Sequence, residues 1–188
     1  MSESSRNFQW WYRHRGLLVL PAAAVAALCR WRETEWDALV FPLGGSLFGL
    51  GLALRVWAQM HLHYRLKVRK ALTTTGPYAH VRNPIYLGNI MIMVGLCAMC
   101  ELLWLCPLIA VYGFAVYSLV VRYEESHLRS KYGERYLDYA SRTPRWIPVV
   151  RLSPGRERGL TRTFLWASVV SEVHLLMVLA LPLLKEAL

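Results

Sequence analysis

Apolar residues in this chain fall in long unbroken blocks between short charged segments, and not in the one-sided stripes of soluble amphipathic helices. The blocks lie at 16–29, 38–60, 85–121 and 164–184. Crossing a bilayer takes about 20 residues, so 38–60 and 164–184 each suit one helix. The block at 85–121 is too long for one crossing and contains a single acid, Glu101, with Pro107 close behind. It reads as a hairpin that turns near those two residues, with helices over 85–100 and 103–121. Residues 16–29 are short, but Arg15, Arg30 and Trp31 can snorkel to extend them; a cleaved leader with Ala22-x-Ala24 at its end is the rival reading. The pattern predicts an all-α, polytopic integral membrane protein of about five transmembrane helices.

Basic residues set the orientation. Segments 1–15, 61–84 and 122–163 are rich in Arg and Lys, the last holding ten, whereas 30–37 balances Arg30 and Arg32 against Glu33, Glu35 and Asp37. Cytoplasmic loops carry the excess of Lys and Arg, so the N-terminus is expected inside and the C-terminus outside. A bacterial inner membrane and an endoplasmic reticulum both satisfy this topology. The net charge of +10 would suggest nucleic acid in a soluble protein, but in a chain that is 55% hydrophobic it belongs to membrane insertion and lipid contact. No nucleic-acid partner is expected.

Several features have ordinary structural explanations. Gly45-x-x-x-Gly49 would let another helix approach closely, within the molecule or in a dimer. Arg55 reads as a snorkelling anchor. From His61 to Lys70 apolar and polar residues alternate, which predicts an extended, interface-lying segment with His61 and His63 among headgroups. Cys97-x-x-Cys100, with no second pair and no nearby histidine, reads as packing, and no metal site is expected. Glu172 and His174 fall mid-membrane, where they should avoid lipid. They project about 200° apart on a helix, so at most one lines a narrow pocket. Glu172 is the candidate for substrate contact, its alternative being a protonated carboxyl bonded to a neighbouring helix.

Chemistry concentrates at the cytoplasmic mouth of the hairpin. Gly76-Pro77 and Asn83-Pro84 are turn-forming pairs, and Pro84 should open a helix whose free N–H groups and positive dipole end lie near Arg82. A membrane-entry turn with Arg82 on lipid phosphate explains the same residues. Glu124-Glu125 lie at the mouth of the partner helix, so a tight hairpin brings the acids to Arg82. Adjacent carboxylates at a membrane boundary are costly unless a cation joins them, and a bound sulfonium or ammonium would supply one; the alternative is a solvated pair facing Arg122 and Arg129. Leu128, Tyr132 and Tyr136 recur at every fourth position, which extends this helix beyond the membrane, with Gly133 as its interruption.

Taken in order, Gly76-Pro77-Tyr78, Arg82-Asn83-Pro84-x-Tyr86-x-Gly88, Glu124-Glu125-x-x-Leu128-x-x-x-Tyr132-Gly133-x-x-Tyr136-x-x-Tyr139 and Pro144-Arg145-Trp146-Ile147-Pro148 resemble the isoprenylcysteine carboxyl methyltransferase family, whose pattern phospholipid N-methyltransferases share. The resemblance covers about residues 70–150. It implies three parts: N-terminal membrane helices and an interfacial segment over 1–69, a methyltransferase core over 70–150, and a linker with a C-terminal membrane helix over 151–188. It further implies an S-adenosylmethionine-dependent methyltransferase without a Rossmann domain, acting on a lipophilic or lipid-linked acceptor: an isoprenylcysteine-like carboxylate, or a phospholipid amine or thiol. By motif position Tyr78, Asn83, Pro84, Tyr86, Gly88, Glu124 and Glu125 line the cofactor, and Tyr136, Tyr139, Arg145, Ile147 and Pro148 close over it. Arg82 and Glu125 then serve catalysis, the first orienting a carboxylate and the second, or Glu124, taking a proton. The family usually has histidine where Asn83 stands, so no imidazole role carries over.

Two other functions compete. A membrane reductase resembling sterol reductases would share the Asn-Pro entrance and tyrosine-rich tail but bind NADPH, for whose phosphates this chain offers no dedicated basic cluster. A non-catalytic scaffold would keep the fold with a collapsed pocket.

Overall fold

The structure, a computed structural model, describes residues 37–64, 71–150, 165, 166, 168–170 and 172. Expectations for 1–36, 65–70, 151–164 and His174 lie outside the described residues. Helix α1 is Asp37–Tyr64, a 3-10 turn covers Gly76–Ala79, and α2 (Pro84–Met99), α3 (Leu105–Tyr132) and α4 (Glu134–Arg142) follow. Residues 165, 166, 168–170 and 172 are also helical, and no strand occurs among the described residues.

α1 and α3 are long and apolar enough to cross a membrane, while α2 is apolar but shorter, 16 residues and so about 24 Å. Leu43, Leu50 and Trp57 on α1 and Leu108, Val111 and Phe114 on α3 are exposed, a surface that water would penalise and lipid accepts. α1 continues through Tyr64, which corrects the expected extended run from His61. The His61 ring reaches back one turn, donating from Nδ1 to the Trp57 carbonyl at 3.0 Å, and packs edge-on against the Trp57 ring. Those contacts fit a helix, and a four-residue alternation is too short to override them.

The hairpin forms as its sequence predicts, with a small shift. Pro84 occupies the first turn of α2, where a missing N–H costs nothing. Glu101 makes the outer turn with φ of 61°, the left-handed region, and its own amide and that of Leu102 donate back to the Ala98 and Cys97 carbonyls. Pro107 sits within the first turn of α3 and not in the loop. At the other end α3 runs past the apolar block and stops at Gly133, whose φ of 52° suits glycine. Leu96, Cys97, Leu102, Tyr117, Val120 and Val121 form the centre of the core, and Cys97 and Cys100 are buried in it, which suits a packing role.

The closest helix contact is between α1 and α2, and it uses different glycines from the motif singled out above. A Cβ added to Gly44 would lie 2.8 Å from the Gly95 carbonyl oxygen, and one on Gly51 2.8 Å from that of Gly88. Gly44 and Gly51 are two turns apart, as are Gly88 and Gly95, so the pairs repeat along an antiparallel seam. Gly45 has only the Met99 sulfur at 4.0 Å and Gly49 has nothing within 4 Å. Gly95→Ala should therefore lower stability by about 1–3 kcal/mol through overpacking, whereas Gly49→Ala should be neutral or stabilise by up to about 1 kcal/mol. Thermal unfolding in detergent micelles checks this, and equal effects would disprove the seam.

Candidate active site

After α4 the chain turns back as a strap over the entrance to α2. The Arg82 amide donates to the Pro144 carbonyl at 2.9 Å, Val149 donates to His80 at 3.0 Å, and the His80 ring donates from Nδ1 to the Val149 carbonyl at 3.0 Å. The Asn83 amide, at the start of α2, donates to the Arg145 carbonyl at 3.1 Å instead of capping its own helix. Tyr139 on α4 donates to the Tyr78 carbonyl at 2.8 Å, closing the other side. Three stretches far apart in sequence are thus tied by backbone-directed bonds.

Between them lies a narrow cleft that opens into solvent, with about 80 Å³ of enclosed space. It is lined by Leu62, Ala71, Leu72, Thr73, Tyr78, Arg82, Asn83, Glu124, Glu125, Leu128, Tyr132, Tyr136 and Tyr139. Glu125 accepts on Oε1 from Arg82 at 3.0 Å and from Arg145 Nε at 3.1 Å, and on Oε2 from Arg145 at 2.5 Å. Glu124 accepts from the Tyr86 hydroxyl at 2.8 Å. Two guanidiniums and two carboxylates balance at this end of the bundle. The Arg145 pKa is raised by its hydrogen bond to Glu125, against the opposing effect of burial.

The cleft also holds buried polar atoms with no hydrogen-bond partner among the described residues: the Thr73 hydroxyl, the Tyr136 hydroxyl and Nε of Arg82. Such atoms are costly unless something satisfies them. Burial raises the pKa of Tyr78, helped by the Glu124 charge, and burial likewise raises that of Tyr139, helped by Tyr136. Tyr136 is raised by burial and by Glu125, against the opposing effect of the Arg82 guanidinium beside its hydroxyl. All three phenols therefore stay protonated at neutral pH, and Tyr139 donates its proton to the Tyr78 carbonyl.

Of the residues singled out from sequence, Tyr78, Arg82, Asn83, Glu124, Glu125, Tyr136 and Tyr139 converge on the cleft. Tyr86 stands behind its wall, bonded to Glu124, and Pro84 starts α2 without lining it. Arg145 reaches the cleft only through Glu125. Gly88 lies elsewhere, in the α1 seam, where a Cβ would meet the Arg55 side chain at 2.7 Å. Ile147 is 77% exposed and Pro148 is exposed too. They do not close over the cleft, because Trp146 turns inward onto Phe114, ring centres 4.8 Å apart, and its neighbours point outward. Sequence reasoning missed Leu62, Ala71, Leu72 and Thr73; the threonine run leading into Gly76 was the available signal.

Glu172 is 2% exposed and bonded to Arg55, Nε to Oε2 and NH2 to Oε1 both at 2.9 Å. Glu172 is not among the residues lining the cleft, so in place of the substrate contact expected from sequence it makes the alternative, a bond to a neighbouring helix, with Arg55 as its partner. Arg55 is correspondingly a core residue and not a headgroup anchor.

Fold and cleft together define an apolar helical bundle with a charged, tyrosine-lined mouth. The chain belongs to the phospholipid methyltransferase family, whose model matches residues 39–135, from α1 to the start of α4. It is 32% identical to the nickel-cobalt-cadmium resistance protein NccN of Alcaligenes xylosoxydans xylosoxydans over 71% of this chain and 62% of that one. It thus spans less than two thirds of that relative. It is 33% identical to the cobalt-zinc-cadmium resistance protein CzcN of Cupriavidus metallidurans, over 76% of this chain and 68% of that one. It is also 33% identical to protein-S-isoprenylcysteine O-methyltransferase B of Arabidopsis thaliana, over 71% of this chain and 77% of that one. No solved structure matches the chain. Among the described residues no group of three or more His, Cys, Asp or Glu is placed to hold a metal ion.

Proposed function

We propose that the protein transfers a methyl group from S-adenosylmethionine to a lipophilic acceptor, with the donor in the cleft at the mouth of the hairpin. The observation that carries this is the cleft's mixture of tyrosine walls, a carboxylate pair and unsatisfied buried donors. The residues fit the group in kind. Tyrosine faces and Glu124 suit a cationic ligand, while the Thr73 and Tyr136 hydroxyls suit its polar ends. Among the described residues the one arginine lining the cleft, Arg82, is already paired with Glu125, and two carboxylates oppose the phosphates of NADPH.

When bound, S-adenosylmethionine would supply an electrophilic methyl on a sulfonium. The chain's work is then to align an acceptor and exclude water. Both oxygens of Glu125 already accept from guanidiniums, so it positions Arg82 and is not the base assigned to it from sequence. Arg82 retains a buried Nε–H and can orient an acceptor carboxylate with it. Tyr139 and Asn83 hold the entrance turn and strap around the site. An isoprenylcysteine-like carboxylate is the acceptor class this arrangement favours over an amine or thiol, and it would enter from the bilayer.

Calorimetry with S-adenosylhomocysteine and with NADPH tests the reading: binding of the first alone is expected, and binding of NADPH alone would overturn it. The same reading includes five spanning helices with the N-terminus cytoplasmic. A cysteine placed at Thr34 should be labelled from outside and one at Ser153 should not; the reverse pattern would refute this topology.

A further inference from the structure

Deeper in the bundle lies a second set of polar side chains that the cleft does not use directly. Besides its fork on Glu172, Arg55 donates from NH1 to the Asn89 side-chain carbonyl on α2, and Gln59 donates to the Glu172 carboxylate. Arginine can only donate, so Asn89 must turn its oxygen to Arg55 and its amide toward Tyr117 on α3, where it donates to the hydroxyl at 3.0 Å. The Tyr117 ring lies 4.9 Å from the Tyr86 ring, and Tyr86 donates to Glu124 in the cleft wall. Tyr117 is two turns below Glu124, about 10 Å along α3. Glu172, Arg55, Asn89, Tyr117, Tyr86 and Glu124 thus form one continuous relay from the C-terminal helical residues to the cleft.

A buried ion pair is a poor way to gain stability, because apolar residues of similar volume usually serve as well or better. What it does supply is direction. Hydrogen bonds orient the groups from Glu172 to Tyr117 and again from Tyr86 to the cleft carboxylate Glu124, and the packed rings of Tyr117 and Tyr86 join the two runs. Gly88 belongs to the same device, since its missing side chain lets the Arg55 chain lie across α2 toward Asn89.

We infer that Glu172 and Arg55 are positioning residues for the cleft, which makes the C-terminal helical residues, beyond the family match at 39–135, part of the working site. This rests on the reading that the cleft takes the methyl donor. The pair fixes Asn89 and Tyr117, and through the packed rings it holds Tyr86 against Glu124.

A double-mutant cycle on the full-length protein tests this, with S-adenosylhomocysteine affinity and unfolding midpoint as independent readouts. Glu172→Gln should weaken affinity by about tenfold when Tyr86 is present and by less than about twofold in a Tyr86→Phe background. The unfolding midpoints of the four proteins should likewise be non-additive, although positions 86 and 172 make no direct hydrogen bond. Equal losses in both backgrounds, or additive midpoints, would reduce the pair to helix packing and overturn the inference. If Glu172→Gln does not fold, Tyr117→Phe, which removes only the hydroxyl that Asn89 meets, takes its place with the same expectations. A wild type that bound no S-adenosylhomocysteine would refute the methyl-donor reading, and the midpoints alone would then decide the relay.

Discussion

Glu125→Gln is expected to lower methyl transfer by about a hundredfold, a loss typical of removing one preorganised electrostatic partner. The glutamine amide would set an NH2 group against the Arg145 or Arg82 guanidinium, donor against donor, where a carboxylate now accepts from both. From sequence the two residues have separate roles, Glu125 lining the cofactor and taking a proton and Arg82 orienting a carboxylate. The geometry joins them. Arg82→Ala should fall to a similar level, and the double variant should be no worse than about the weaker single variant, since groups acting as a unit are not additive. Steady-state kinetics of the three variants decides it, and a double loss equal to the product of the single losses would show that they act separately.

The second large effect is on stability. Glu172→Ala should cost about 3–5 kcal/mol, because it leaves Arg55 charged and unpaired in the bundle. The pair is well shielded, with side-chain exposures of 12% for Arg55 and 2% for Glu172. Joint replacement, Arg55→Met with Glu172→Met, should recover most of that loss, since no buried charge remains. Thermal unfolding in micelles measures both. A double variant as unstable as Glu172→Ala would mean that the pair's directional bonds, and not the orphaned charge, carry the stability. The relay inferred above makes a further demand on the recovered double variant: it should fold and still bind S-adenosylhomocysteine weakly.

What was legible in the sequence is what short-range rules govern. Pro84 marks a helix start because its ring forbids other neighbours, Gly133 a stop because its backbone is left-handed, and Glu101 a turn because an acid interrupts an apolar run. From those three points the hairpin follows, and the hairpin alone carries Arg82 to Glu124 and Glu125. Motif order brought Tyr78, Tyr136 and Tyr139 to the same place. Motif order does not give side-chain direction, which is why Ile147 and Pro148 were expected inward when Trp146 takes the inner side. Nor does local spacing reveal an antiparallel seam: the four-residue glycine motif caught the eye, while the seam uses a seven-residue spacing on two helices. Arg55 and Glu172, 117 positions apart, have no signal in common beyond each being a charge in an apolar block. From sequence Arg55 reads as a headgroup anchor and Glu172 as a mid-membrane acid, and only the packed structure pairs them.

The central claim is that the cleft between the entrance turn, the acid pair and α4 holds a methyl donor for a lipophilic acceptor. Vesicles containing the protein, incubated with methyl-labelled S-adenosylmethionine and a farnesylcysteine carboxylate, test it most directly. The account predicts label in an organic-extractable methyl ester that base hydrolysis releases, and near-complete loss of that label with Arg82→Ala. Label transferred at the same rate by Arg82→Ala, or no transfer to carboxylate, amine or thiol acceptors by a wild type that is folded and membrane-inserted, would contradict it.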